Sequence, residues 1–153
     1  METIDTILQT EADYVFTIIR VVAGIIIFPY GMQKLLGWFD DFGGGVGINA
    51  SLNSFKEKRI PLFLAWMVII GQSIGSVMLI IGFMGRFAAI CNFIIFTGAL
   101  FNHLPDGWTV NWSGKKRGEG IEYFILLLTL LLIIAIKGSG AYSIDYWLAL
   151  QGQ

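Results

Sequence analysis

Apolar residues dominate four long stretches of the chain, and polar residues are concentrated between them. The stretches lie at about residues 14–36, 62–83, 87–104 and 120–136. Each approaches the ~20 apolar residues that a helix needs to cross the hydrocarbon core of a bilayer. The pattern predicts an all-α, polytopic membrane protein whose four transmembrane helices form a bundle. We expect a single domain over residues 1–153.

The polar connections predict what lies between these helices. The acidic residues 1–13 lack the pattern of a cleaved signal peptide and indicate a partly ordered tail. The glycine run at 43–47 indicates turning backbone rather than a phosphate loop, because no strand precedes it and no Gly-Lys-Ser/Thr motif follows. Residues 49–59 predict a surface helix whose basic end meets anionic lipid headgroups. Near the end of the chain, Ser143 is expected to cap a short interfacial helix at 144–150.

The composition supports a membrane location and excludes several other classes. Hydrophobic residues make up 56% of the chain and charged residues 14%, with a mean hydropathy of +0.71. A soluble domain contains roughly 25% charged residues. The net charge of −1 gives no reason to expect a nucleic-acid partner, so the lipid bilayer is the predicted environment. The single cysteine, Cys91, excludes an internal disulfide and a cysteine-based metal cage.

The first apolar stretch carries an arginine where lipid cannot solvate a guanidinium. Arg20 lies about six residues into the stretch, which is ~9 Å along a helix. Arg20, Gly24, Ile27, Gly31 and Lys34 follow steps of four, three, four and three, so they lie on one stripe of the helix. The two glycines let another helix approach closely. The stripe therefore predicts that Arg20 and Lys34 face the interior of the bundle.

Comparing depth between the stretches predicts an inner polar cluster of Arg20, Gln72 and Asn92. Asn92 lies at a depth similar to that of Arg20, and Gln72 lies deeper. A guanidinium has five N–H donors, and the side-chain oxygens of Asn92 and Gln72 are candidate acceptors for them. The default role of a glutamine at this depth is an interhelical hydrogen bond.

A second predicted cluster, at the opposite mouth of the bundle, contains Lys34, His103 and Glu122. These residues, together with Asn102, fall near one depth. An ammonium, an imidazole and a carboxylate at one mouth can form a salt-bridge cap, a proton relay or a ligand site. One histidine beside one carboxylate provides too few ligands for a catalytic metal, so we expect no metal.

The distribution of basic residues predicts the orientation. Four spans place both termini and the Gly85-Arg86 turn on one side of the membrane. Seven lysines and arginines fall on the opposite side, against two or three on the terminal side. This excess predicts cytoplasmic long loops, with both termini outside. The seven are Lys34, Lys56, Lys58, Arg59, Lys115, Lys116 and Arg117.

Residues distributed over the whole bundle give the chain a resemblance to the DoxX family of small bacterial and archaeal membrane proteins. No single motif is specific, and the resemblance depends on their order and spacing over four spans. Two positions depart from the family pattern: Tyr30 stands where a histidine is common, and Gln72 where a glutamate is common. The second change removes the carboxylate expected beside Arg20. The residues that carry the resemblance are Arg20, Gly24, Gly31, Lys34, Leu35, Gly37, Gly71, Gly75, Gly82, Gly85, Arg86, Gly120, Glu122, Gly138, Gly140, Ser143 and Asp145.

The resemblance implies a location in the bacterial inner membrane and a link to quinone-dependent redox chemistry. The chain has no cysteine pair, haem-ligand pair or flavin fingerprint of its own. The expectation is therefore an accessory or anchoring subunit, more plausibly non-catalytic than an enzyme alone. It would work beside an oxidoreductase partner, with a quinone as cofactor and the inner polar cluster on the quinone side. Two alternatives stay open: a bundle that binds or carries a small lipid-like or anionic solute through Arg20, and a structural scaffold.

Overall fold

The computed structural model describes residues 10, 12–40, 43–114, 118 and 120–151, and this part of the chain is helical without any strand. Much of the predicted N-terminal tail and the basic residues 115–117 lie outside the described residues. Six α-helices and one 3₁₀ turn at Leu104–Asp106 fall within the described part. The α-helices are α1 (Tyr14–Leu36), α2 (Ile48–Glu57), α3 (Leu62–Ile81), α4 (Gly85–His103), α5 (Glu122–Lys137) and α6 (Ile144–Gln151).

Three of these helices, α1, α3 and α4, are long and apolar enough to cross a membrane. Helix α5 occupies the position of the fourth predicted span, but its 16 residues are fewer than the ~20 that a typical span requires. The predicted boundaries differ from the observed ones by up to two residues. Helix α3 ends at Ile81 rather than at 83, because Gly82 adopts a left-handed conformation with φ of 73°.

The four longest helices form a closed square. Helix α1 packs against α3 and α5, and α4 packs against the same two helices from the other side. The centre is filled by small and aliphatic side chains with two phenylalanines. These core residues are Ala23, Ile27, Leu79, Ala88, Ala89, Phe96, Phe124, Leu127, Leu131 and Ile134.

Glycines set the distance between α1 and α3. A Cβ atom on Gly31 would lie 2.5 Å from the backbone of Gln72, and one on Gly24 would lie 2.8 Å from the side chain of Ile80. The backbones therefore approach more closely than any larger residue permits. The predicted small-residue step on α3 has the same role toward α4. There, Gly71 and Gly75 are covered by α4 side chains.

The predicted short helices are present. Helix α2 turns Ser51 inward and leaves Lys56 and Glu57 exposed, as expected of a helix lying on the bundle surface. Helix α6 begins as predicted, because the Ser143 hydroxyl accepts a hydrogen bond from the Tyr146 N–H at 3.1 Å. Helix α6 returns the end of the chain to the turn between α3 and α4, where the Asp145 N–H donates to Gly82 O at 3.0 Å.

Candidate functional site

Arg20 is almost completely enclosed at the end of the bundle where the termini lie, with 1% of its surface exposed. Its Nε donates to Ser139 O at 2.7 Å, and its Nη2 donates to Tyr142 O at 2.6 Å. Its Nη1 donates to the carbonyls of both Leu79 and Ile80, the second at 2.7 Å. Four backbone carbonyls therefore surround one guanidinium.

This arrangement corrects the expected partners of Arg20. Its interior position was predicted correctly, but its hydrogen bonds go to main-chain carbonyls and not to Gln72 or Asn92. Leu79 and Ile80 belong to the last turn of α3, whose carbonyls have no partner within the helix. A cation at a helix C-terminus also interacts favourably with the helix dipole. Arg20 thus caps α3 from a neighbouring helix.

Asp145 caps the start of α4, as Arg20 caps the end of α3. Its carboxylate is 1% exposed and accepts hydrogen bonds from the N–H groups of Met84, at 2.7 Å, and Gly85, at 2.9 Å. A carboxylate at a helix N-terminus satisfies unpaired N–H groups and matches the helix dipole. The carboxylate also accepts from the Ser139 hydroxyl at 2.5 Å.

Arg20, Ser139 and Asp145 form one unit, the terminal hub. Ser139 joins the other two, since its carbonyl accepts from Arg20 and its hydroxyl donates to Asp145. Asp145 also attracts Arg20 electrostatically. Gln72 provides no carboxylate to Arg20, and the negative charge that acts on Arg20 comes instead from Asp145 of α6, without a direct ion pair between the two. The hub is buried and hydrogen-bonded to the backbone at the end of α3, at the start of α4 and in the α5–α6 connection, so it holds the bundle end together.

Gln72 and Asn92 face a different part of the interior. Gln72 lies on α3, where its backbone faces Gly31 of α1. The nearby Gly71 and Gly75 face α4 instead. The Asn92 amide donates to Gly71 O of α3 and to Ala88 O of its own helix, both at 3.0 Å, so Asn92 forms an interhelical hydrogen bond of the kind expected of Gln72. The side-chain oxygens of both residues are buried and accept no hydrogen bond from any described residue. Two buried acceptors thus lack a donor within the described part of the chain.

The three residues of the second predicted cluster each contact a different partner. His103 pairs with Asp106, with 2.7 Å between Nδ1 and Oδ2, and its ring stacks on Phe124. The Glu122 carboxylate accepts from the Val110 N–H at 3.3 Å. The Lys34 ammonium donates to the carbonyl of Tyr30 at 3.2 Å.

The carboxylate that pairs with His103 is therefore Asp106, three residues along the chain, and not Glu122. Among the residues described, no three histidine, cysteine or carboxylate side chains gather where they could hold a metal ion.

Gln33 is a buried polar residue that the sequence analysis missed. Its side-chain N–H group donates to Gly45 O at 3.0 Å, and its backbone carbonyl accepts from Gly47 N at 2.8 Å. The Ser51 hydroxyl donates to the same Gly45 carbonyl at 3.1 Å. The glycine run is thus turning backbone, as predicted, folded over the end of α1. The sequence signal that could have identified Gln33 was its position next to Lys34, which was predicted to face the interior.

Comparison with known proteins places this architecture in a family. The family model DoxX matches residues 15–105, which is more than half of the chain. The chain is 24% identical over 128 residues to a Bacillus subtilis protein named "Putative oxidoreductase CatD", covering 84% of this chain and 82% of that protein. No solved structure matches the chain. The protein belongs to the DoxX family of membrane proteins.

Proposed function

We propose that this protein is an accessory or anchoring subunit of a quinone-linked membrane redox system. Membership in the DoxX family and the similarity to a protein named as an oxidoreductase support a redox setting. The observation that carries the proposal is the pair of buried amide oxygens, Gln72 Oε1 and Asn92 Oδ1, which lack donors. An acceptor buried without a donor costs roughly 1–3 kcal/mol. A ligand that brings hydroxyl groups into this apolar interior would recover that free energy.

A quinol fits this chemistry, and its oxidised form fits less well. A quinol is an apolar ring with two hydroxyl donors, whereas a quinone presents only carbonyl acceptors. The oxygens of Gln72 and Asn92 can accept a hydrogen bond from the quinol but not from the quinone. Glycines adjoin the Asn92 amide, since Gly75 lies directly against it and the carbonyl of Gly71 accepts from it. These residues would hold the reduced ring, and preferential binding of the reduced form raises the midpoint potential of the bound couple.

Replacing the Gln72 amide tests the quinol site. In Gln72→Met, which retains length and removes the acceptor, we expect quinol binding to weaken about 5- to 10-fold, the equivalent of one hydrogen bond. Quinone binding should change by less than twofold. The measurement is quenching of tryptophan fluorescence in nanodiscs, titrated separately with reduced and oxidised quinone.

Ser73→Ala is the matched control for this test. Ser73 is also buried on α3, but its hydroxyl donates to Ile69 O within its own helix at 2.5 Å. We expect the control to bind quinol like the wild type. Equal binding of quinol by Gln72→Met and the wild type would exclude the amide pair as the site.

The accessory role is tested by purification from native membranes in a mild detergent. We expect a stoichiometric oxidoreductase chain and extractable quinone to accompany the protein. A protein that purifies alone and without quinone would contradict the proposal and favour solute binding or scaffolding.

The terminal hub bears on the two alternative functions. A carrier of anionic solutes needs an accessible Arg20, yet four carbonyls and the field of Asp145 already engage it. This reduces support for the carrier. A structural scaffold is favoured by the same observation, because the described hydrogen bonds of the hub all join parts of the fold. If the Gln72→Met variant failed to bind quinol but still bound the partner protein, the scaffold would be the better explanation.

The proposed subunit crosses the bacterial inner membrane four times, with α5 as the fourth span. Helix α5 is apolar around its whole circumference: Phe124 and Leu131 face the core, while Leu126 and Leu132 are exposed. Such a helix is typical of a lipid environment. The long loops would face the cytoplasm. A cysteine at Ser113, in a Cys91→Ala background, should resist impermeant thiol reagents in intact cells. Rapid labelling there would reverse the orientation.

A further inference from the structure

The connection between α2 and α3 brings three cations together at one tight turn. The Arg59 N–H donates to Lys56 O and the Ile60 N–H to Phe55 O, both at 2.9 Å, and Arg59 adopts a left-handed φ of 58°. The side chains of Lys56, Lys58 and Arg59 are all exposed there, with Glu57 as the one acidic residue among them. None of the three cations forms an ion pair with any residue that the structure describes. The turn therefore carries a net positive charge, with three cations against one carboxylate.

An apolar surface begins directly below this turn. Leu62, Phe63 and Trp66 form the outward face of the first turns of α3, and 63%, 67% and 36% of their surfaces are exposed. The same face continues along α3 through Met67, Ile70 and Ile74. Because α3 is long and apolar enough to span a membrane, this face meets lipid chains. We call the three cations and the first three of these apolar residues the α2–α3 corner.

We propose that the α2–α3 corner is a binding site for an anionic phospholipid. The cations lie on the membrane-surface helix and turn, at headgroup level, and the apolar residues lie where the acyl chains of that same lipid would pack. Charge complementarity favours a lipid with a net negative headgroup over a zwitterionic one. The continuous apolar face favours a lipid over an acidic protein, because a partner in water would contact the charges alone.

The site is tested with the full-length protein in neutral detergent, titrated with phosphatidylglycerol and, separately, phosphatidylcholine, and analysed by native mass spectrometry. We expect the wild type to bind phosphatidylglycerol preferentially. The triple variant Lys56→Gln, Lys58→Gln, Arg59→Gln should bind it roughly 100-fold more weakly, at about fivefold per cation removed. Because exposed charges are screened, raising the salt concentration should weaken wild-type binding as well.

Two control variants and two competitors sharpen the result. Glu57→Gln removes the acidic residue and should strengthen phosphatidylglycerol binding about fivefold. Lys56→Arg with Lys58→Arg keeps the charge and should bind like the wild type. Inorganic phosphate and glycerol phosphate should fail to compete, since they lack acyl chains.

Equal phosphatidylglycerol binding by the wild type and the triple variant would overturn the proposal. Full competition by inorganic phosphate would overturn it too, because the site would then be an anion site without a lipid component. An acidic protein that the wild type retains and the triple variant loses, without any preference for phosphatidylglycerol, would assign the corner to a protein partner.

Discussion

Arg20→Ala is expected to destabilise the protein by about 3–5 kcal/mol, because several buried carbonyls lose a donor and each such loss costs roughly 1–3 kcal/mol. The substitution leaves four carbonyls in the bundle without their donor and leaves Asp145 buried without the neighbouring cation. The end of α3 and the α5–α6 connection would then lose the side chain that joins them. Thermal and denaturant unfolding of the purified protein in mild detergent, followed by circular dichroism, measures the loss.

The terminal hub also makes a prediction about coupling between its members. Asp145→Ala removes the acceptor for Met84, Gly85 and Ser139, and should cost a similar amount. Because both residues belong to one network, the double variant should lose less than the sum of the single variants. Arg20→Lys keeps the charge but offers a single ammonium in place of the planar fork, so it should restore only part of the stability. Additive losses would show that the two caps act independently, contrary to the hub.

Gly31→Ala is expected to destabilise the bundle by about 1–3 kcal/mol, as overpacking of a close contact does. The added Cβ would lie 2.5 Å from the carbonyl carbon, oxygen and next amide nitrogen of Gln72 and Ser73. Backbone atoms cannot move aside as a flexible side chain does, so α1 and α3 must shift apart. The same unfolding measurement in detergent reports the effect.

Gly98→Ala provides the matched control within the same protein. Gly98 also lies inside a membrane helix, but a Cβ there would meet nothing within 4 Å. Alanine is favoured over glycine in a helix by up to about 1 kcal/mol, so this variant should be as stable as the wild type or more stable. If Gly31→Ala proved as stable as Gly98→Ala, the close approach of α1 and α3 would be wrong.

The helices were predictable because their signal is local. The four apolar stretches, the surface helix α2 and the serine cap of α6 each depend on residues within about one element of each other. The interior direction of Arg20 was also predictable, since a helical stripe of glycines and charges can be read from spacing alone. Depth could be compared between spans in the same way.

The partners of the polar residues were not predictable, because depth does not give direction around a helix axis. The sequence placed Asn92 and Arg20 at similar depths, yet Asn92 bonds to Gly71 O in the middle of α3 and to Ala88 O in its own helix, while Arg20 bonds to the last turn of α3 and the C-terminal segment. Ser139, whose carbonyl accepts from Arg20, is 119 residues away in sequence. His103 shows the opposite error: its carboxylate lies three residues along, within the adjoining 3₁₀ turn. A backbone carbonyl has no residue-specific signature, so sequence alone cannot identify it as an acceptor.

The hub has a consequence for how the protein is made. The first span enters the membrane with Arg20 well before two of its hydrogen-bond acceptors are translated, because Ser139 and Tyr142 lie 119 and 122 residues further along the chain. Until those residues arrive, the bundle holds a charge that lipid solvates poorly. A chain truncated before Ser139 keeps that defect permanently and exposes an unfinished bundle to membrane proteases. The environment of Arg20 is thus completed only after the connection between α5 and α6 has been made.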